Sequence, residues 1–132
     1  MNTTKLEFHV PHFRFTNGIL EPAKYEGFRS ELINFMEKQG VTKFNNYMEK
    51  EFVDHYEFDE EVLVVQCSSD NKSALIKGYT DLLLKYHKEF QHIFYICGVN
   101  GFNHTICVDS NSVKILQEQM FAFSEDAIAI IC

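Results

Sequence analysis

The sequence predicts an α+β fold in which a single-layer antiparallel sheet carries two main helices on one face. The sheet is predicted by two β-rich runs, residues 93–99 and 102–108, that are separated only by Asn100-Gly101. Both residues of such a tight hairpin turn need positive φ, which asparagine and glycine adopt at low cost. The helices are predicted by two stretches of apolar residues at helical spacing. A length of 132 residues fits one domain over 1–132.

The first strand is predicted over residues 5–15, where large apolar residues alternate with polar ones until Pro11 removes a ladder donor. A bulge or an edge position near Pro11 explains why the alternation then changes phase. Asn17-Gly18 predicts a turn. Pro22 suits the first position of a helix, and Gly40 suits the position just after its end. The buried stripe of this helix is Tyr25, Phe28, Leu32, Phe35 and Met36.

Residues 42–58 are ambiguous. Their large apolar residues recur every four positions, as in a helix, but the Asn45-Asn46 pair and the aromatic content suit an irregular hairpin. We favour a strand followed by a turn, because that strand pairs with the short apolar run at residues 62–67 and completes the sheet.

A second helix is predicted after Ser68-Ser69-Asp70, which are all cap-forming residue types. Its buried stripe is Leu75, Tyr79, Leu82, Leu83, Tyr86 and Phe90. In the hairpin that follows, the Asn-Gly turn sets Cys97 opposite His104 on the more apolar face, the better core face. Another group of cap formers at residues 109–112 predicts a short C-terminal helix that begins at Val113.

The order strand, helix, one or two strands, helix, hairpin, helix resembles the ferredoxin-like α/β plait over about residues 4–97. The resemblance implies an antiparallel sheet with helices on one face. It implies no catalytic residue, because such plaits serve as enzymes, ligand sensors, nucleic-acid binders and oligomerisation modules alike.

Charge and composition exclude some function classes. The net charge is −7, and residues 49–61 alone contribute −6. Affinity for phosphate backbones needs clustered lysine and arginine, so nucleic acid is an unlikely partner. The first residues show no secretory signal, and no segment approaches 18 continuous apolar residues, so no membrane partner is expected. The four cysteines form no Cys-x-x-Cys pair, which favours a reduced, cytoplasmic protein.

The candidate catalytic residues are Cys97, His104 and His55. A thiol and an imidazole within hydrogen-bonding reach can form a nucleophilic ion pair, and the hairpin register sets Cys97 beside His104. The alternative is a small buried thiol beside a core histidine, since no orienting asparagine or aspartate is identifiable.

The candidate metal ligands are His9, His12, Asp54 and His55, which with the carboxylates of residues 57–61 offer nitrogen and oxygen ligands for a divalent ion. No ligand motif of defined geometry is present, and strand positions three apart face opposite sides. A solvated acidic loop is the alternative, and no cofactor is expected.

The candidate ligand-binding residues are the two arginines, Arg14 and Arg29, and the aromatic residues Tyr47 and Tyr56. The arginines are able to clamp an anion, especially where several subunits share a pocket. The chain holds more phenylalanine and tyrosine than the predicted core stripes use, so the excess suggests a stacking pocket or an association surface.

These observations favour a non-enzymatic binding module that forms homo-oligomers through the apolar residues 127–132. It captures a partner protein or a small planar ligand such as a nucleotide signal. Ten lysines against two arginines suggest an AT-rich genome, which fits a phage or bacterial accessory or inhibitor protein. The alternative function is a small hydrolase or transferase that depends on a metal or on histidine.

Overall fold

The computed structural model describes residues 3–41, 43–53, 56–90, 94–108 and 113–115. Its elements, in chain order, are β1 (Thr3–Val10), β2 (Phe13–Thr16), β3 (Ile19–Pro22), α1 (Glu26–Lys38), β4 (Phe44–Val53), β5 (Tyr56–Ser68), a single 3₁₀ turn (Ser69–Asn71), α2 (Lys72–Lys85), α3 (His87–Phe90), β6 (Phe94–Val99), β7 (Phe102–Val108) and β8 (Val113–Ile115).

The main sheet has the strand order β4-β5-β1-β6-β7-β8, and every neighbouring pair is antiparallel. Strands β2 and β3 form a separate two-stranded hairpin. The predicted α+β class, with an antiparallel sheet of ferredoxin-like arrangement and two main helices, is confirmed. None of the helices in the described ranges is long and apolar enough to cross a membrane.

One face of the sheet forms the core, as strict alternation requires. On β1 the fully buried side chains are Leu6, Phe8 and Val10, and Leu63 and Val65 lie beside them on β5. The helices cover this face with the stripes predicted from their spacing: Phe28, Leu32 and Met36 from α1, and Leu75, Tyr79 and Leu83 from α2. Below, this is called the core face, and the other side is called the opposite face.

The Asn-Gly hairpin has the predicted register. Asn100 and Gly101 adopt φ values of 51° and 85°, and Cys97 lies opposite His104. The backbone N–H of Asn100 donates to the carbonyl of Lys5 (2.8 Å), and its side-chain oxygen accepts from the backbone N–H of Lys5 (2.9 Å). Asn100 therefore makes the turn and also ties it to β1.

The strand favoured within residues 42–58 is confirmed, and residues 54–55, between β4 and β5, lie outside the described residues. Strand β4 pairs with β5 along its whole length, from Phe44 opposite Val65 to Val53 opposite Tyr56. The run predicted at residues 62–67 is the second half of a longer strand. Residues 57–61 consequently lie in β5 and not in a solvated acidic loop, because their backbone is paired with β4.

Boundaries near the start of the chain differ from the predictions. The strand predicted over residues 5–15 is two strands: β1 ends at Val10, and β2 turns back into β3 through Asn17-Gly18, both of which have positive φ. Pro22 therefore pairs with Phe13 as the last residue of β3, and α1 begins only at Glu26.

The predicted C-terminal helix is wrong at its start, because residues 113–115 form β8. This strand pairs with β7, with Val113 opposite Val108 and Ile115 opposite Ile106, so its backbone extends the main sheet by a sixth strand. Residues 116–132, which include the rest of the predicted helix and the apolar run at 127–132, lie outside the described residues.

Helix α1 ends before Gly40, as predicted. Gly40 has φ 89°, its N–H donates to the carbonyl of Glu37, and the N–H of Val41 donates to the carbonyl of Met36, each at 3.0 Å. This is a Schellman ending, which requires the left-handed conformation that glycine adopts without steric cost.

Candidate functional site

A buried carboxylate interrupts the core face near the β4 end of the sheet. Glu61 lies on β5 opposite Val10, at an alternating position that Leu63 and Val65 fill with aliphatic side chains. Only 4% of Glu61 is exposed. An ionised carboxylate in such a place needs a compensating charge and hydrogen bonds.

Side chains from three other segments supply them. Arg29 of α1 binds both carboxylate oxygens of Glu61, from Nε at 2.8 Å and from Nη2 at 3.1 Å. Asn46 of β4 donates its amide to Glu61 at 2.9 Å. His12, in the connection between β1 and β2, places Nε2 at 3.4 Å from the same carboxylate. The carboxylate therefore joins four parts of the fold.

The electrostatics keep this pair ionised. Burial by itself raises the pKa of Glu61, but the hydrogen bonds from Arg29, Asn46 and His12 and the positive charge of Arg29 outweigh burial, so the pKa lies below its usual range. The hydrogen bond to Glu61 likewise raises the pKa of Arg29. At neutral pH the cluster is a charged, two-point arginine–carboxylate pair.

A cavity of about 350 Å³ opens beside this pair, and we call it the Glu61 cavity. The rings of His12 and Tyr25 stack there with centroids 3.7 Å apart and an angle of 11°. Its lining residues are His12, Tyr25, Glu26, Arg29, Ser30, Met48 and Glu61. A stacked ring pair beside a fixed guanidinium suits a planar molecule that carries a hydrogen-bond acceptor.

The structure places the predicted ligand-binding residues in different regions. Arg29 lines the Glu61 cavity. Arg14 of β2 instead binds Glu21 at 2.8 Å and both the carboxylate and the carbonyl of Glu89. The fourth predicted residue, Tyr56, is the first residue of β5, and its side chain lies outside what the structure describes.

Tyr47 lies on the opposite face. Its hydroxyl donates to Glu7 at 2.6 Å, and burial together with this bond raises the pKa of Tyr47. Gly98 lies beside Glu7 on the neighbouring strand, where an added Cβ would approach the Cβ of Glu7 to 3.1 Å. The missing side chain of Gly98 thus gives Glu7 room on the sheet.

The predicted metal ligands are also separated. His12 lies at the Glu61 cavity, whereas His9 alternates with the core residues of β1 and has Nδ1 3.7 Å from Glu60. Asp54 and His55 lie outside the described residues. Over the residues that the structure does describe, no group of three or more histidine, cysteine and acidic residues is placed to hold a metal ion.

Cys97 and His104 lie side by side, as the hairpin register predicts, and both line a cavity of about 320 Å³ between β7 and α2. Cys97 is 1% exposed, and burial raises its pKa to about 12. The thiol is therefore protonated at neutral pH, as expected of a small buried thiol beside a core histidine, and the nucleophilic role of this pair stays a hypothesis.

Sequence reasoning placed Glu61 with His12 only as part of a candidate metal site, and it did not identify Asn46, Tyr25 or Arg29 as members of the same site. A signal for Glu61 was present, because it shares the strand alternation of Leu63 and Val65 and so belongs on the core face. The identity of its partners carries no comparable signal, because Arg29 is 32 residues away in the chain.

The comparisons with known proteins give little. No family model and no curated protein matches the chain. Two similar solved structures are a phage SAM lyase in the apo state (8% identity, TM-score 0.39, 91% of each chain covered) and a phage SAM lyase in complex with S-methyl-5′-thioadenosine (10% identity, TM-score 0.40, 91% of this chain and 92% of that chain). Likeness at this level carries no argument about the activity of this chain.

Proposed function

We propose that the protein is a non-enzymatic binding module for a small planar ligand, held in the Glu61 cavity. The observation that carries this proposal is the buried Glu61 paired with the partly exposed Arg29 on the wall of that cavity. Burying a carboxylate in a core is costly even when it is paired, and an apolar residue there is often as stable. A charged pair retained beside an open cavity therefore points to a binding role.

The pair holds Arg29 in one orientation. Its hydrogen bonds to Glu61 use two of the five N–H groups of the guanidinium, so three are left for another acceptor. The side chain keeps 34% exposure, so these groups are accessible from the cavity. Fixing the donor before the ligand arrives lowers the entropy lost on binding.

The rest of the cavity suits a nucleotide-sized ligand. A volume of about 350 Å³ is near the lower end of small-molecule pockets. The stacked rings of His12 and Tyr25 offer a flat surface for a base, and Arg29 suits a phosphate or carboxylate group. Cys67 and Cys97 are buried free thiols, which fits a cytoplasmic setting for this module.

One contact favours a second function. His12 lies 3.4 Å from the carboxylate of Glu61, and a carboxylate that orients an imidazole is a common arrangement in general acid–base catalysis. A histidine-dependent hydrolase or transferase is therefore the alternative, with His12 as its proton-transfer group.

Isothermal titration calorimetry with the four ribonucleoside monophosphates tests the proposal. Ser30→Trp fills the cavity from the exposed side of α1 and should weaken binding at least tenfold, while Glu37→Trp, on the same helix outside the cavity, should not. Absence of binding to all four probes, or equal binding by both variants, would contradict the proposed binding role.

Mass spectrometry of each probe after incubation with the protein separates the two functions. An unchanged probe supports binding alone, and conversion that His12→Gln abolishes supports the histidine-dependent enzyme.

A further inference from the structure

We propose that the outer edge of β4 pairs with the same strand of a second copy of the chain, giving a symmetric dimer with one continuous sheet. Strand β4 ends the sheet order, and within the described ranges it pairs only with β5. It is ten residues long and has no proline. A long edge strand without proline is a template for pairing with another chain.

The side chains in the middle of this strand support an interface. Tyr47 and Met48 are 43% and 52% exposed, and they are two of the four large hydrophobic residues exposed in the described part of the chain. The other two, Ile19 and Phe102, each follow a turn directly. Two adjacent exposed apolar residues at the centre of an edge strand are a stronger sign of association with another chain than single exposed residues beside turns.

Symmetry limits how two copies of β4 can pair. A two-fold axis perpendicular to the sheet makes the strands antiparallel and keeps both core faces on the same side. In an antiparallel pair, directly opposite residues lie on the same face. The two-fold axis therefore passes midway between one residue and the same residue of the second copy. The remaining question is which residue this is.

Charge and length favour Met48 at the axis. Centring on Glu49 sets two carboxylates opposite each other, and centring on Lys50 sets Glu49 opposite the partner's Glu51; like charges directly opposite destabilise a sheet. Centring on Met48 avoids both clashes and pairs residues 44–52, nearly the whole strand. It also sets Tyr47 opposite the partner's Glu49.

The same arrangement has two consequences. The acidic ends of the two β4–β5 hairpins point in opposite directions, so the charge concentrated in residues 49–61 is spread over the dimer. Met48 also lines the Glu61 cavity, so the second copy adds a wall beside that cavity. The dimer does not depend on ligand binding, and a failure to bind nucleotides leaves it unaffected.

Disulfide trapping tests the register. With Met48→Cys, the new thiols face each other across the axis at the 4.5–5.5 Å Cα separation of opposite residues in a sheet, close enough to bond. Lys50→Cys is the matched control on the same face, since its copy lies four residues along the strand, about 14 Å away. Oxidation should give a covalent dimer of the first variant and not of the second. Equal cross-linking of both, or of neither, overturns the Met48 register.

Light scattering coupled to size exclusion tests the interface itself. The protein should be a dimer at micromolar concentrations. Met48→Lys sets two positive charges face to face and should give monomers. Ile19→Lys changes the most exposed of the large hydrophobic residues that the structure describes, lies outside β4, and should leave the dimer intact. Circular dichroism of both variants checks that each is folded. A monomeric wild type, or a dimer that Met48→Lys leaves unchanged, overturns the proposal.

Discussion

Replacing Arg29 with methionine should destabilise the protein strongly, and in a way that depends on pH. Methionine retains an unbranched apolar side chain of similar reach but leaves Glu61 without its positive charge and without two of its hydrogen bonds. Removing one partner of a buried ion pair costs about 3–5 kcal/mol, because the other charge remains buried.

The structure sets the magnitude near the lower end of that range. One third of the Arg29 side chain is exposed, and Asn46 and His12 still reach Glu61 in the variant. We therefore expect a loss of about 3 kcal/mol at pH 7. For a chain of 132 residues this corresponds to a fall in Tm of about 12 °C, at about 4 °C per kcal/mol.

The pH dependence separates this explanation from a general packing defect. In the wild type the pKa of Glu61 is lowered, so its stabilisation is present above the ordinary value of 4.5 and is lost as the pH falls through the folded-state pKa. In Arg29→Met, the charge and hydrogen bonds of the arginine no longer outweigh the burial of Glu61, so the pKa of Glu61 rises. Protonation then relieves the penalty as the pH falls, so the difference between the two proteins should shrink to below about 1 kcal/mol near pH 4.

Urea denaturation followed by circular dichroism at pH 7 and pH 4 measures both values. Arg14→Met is the matched control: its partners Glu21 and Glu89 are each more than a quarter exposed, so it should cost less than about 1 kcal/mol. Arg29→Met combined with Glu61→Gln should recover most of the loss. A loss of the same size at both pH values, or one no larger than that of Arg14→Met, would refute the account of the Glu61 cluster.

Three other changes test the remaining structure. Tyr79→Phe removes the buried 2.6 Å hydrogen bond to the carbonyl of His9 and should cost about 1–3 kcal/mol in urea denaturation. Cys97, with a pKa raised to about 12, should resist iodoacetamide in the native protein at pH 8 and react after unfolding, as peptide mass spectrometry will show; rapid native labelling would contradict its burial. Asn100→Ala loses the bond to Lys5 and the tolerance for positive φ, and should lower stability by about 1–2 kcal/mol, whereas Asn100→Gly should recover part of it.

Much of the fold follows from local sequence features. The register of β6 and β7 was predictable because two adjacent residues able to adopt positive φ fix a two-residue turn, and alternation then assigns every side chain to a face. The stripes of α1 and α2 and the glycine ending of α1 were predictable for the same reason, since each depends on residues within one or two turns of helix.

The boundaries that failed depend on pairing between strands. Pro22 is acceptable as a first helical residue and as the last residue of β3, and the return of the chain through the Asn17-Gly18 turn selects the second. Val113 likewise follows a group of cap formers, yet it pairs with Val108 because β7 has a free edge beside it. Local propensity is a weak prior when an unpaired strand is close by.

By itself the sequence determined the class of the fold, the hairpin register and the faces of both helices, because period and turn chemistry are encoded in neighbouring residues. Only the tertiary structure decided that Glu61 meets Arg29, Asn46 and His12, which are 32, 15 and 49 residues away in the chain. Alternation assigns a carboxylate to a face, but its partners depend on how α1 packs across the sheet, which no local pattern specifies.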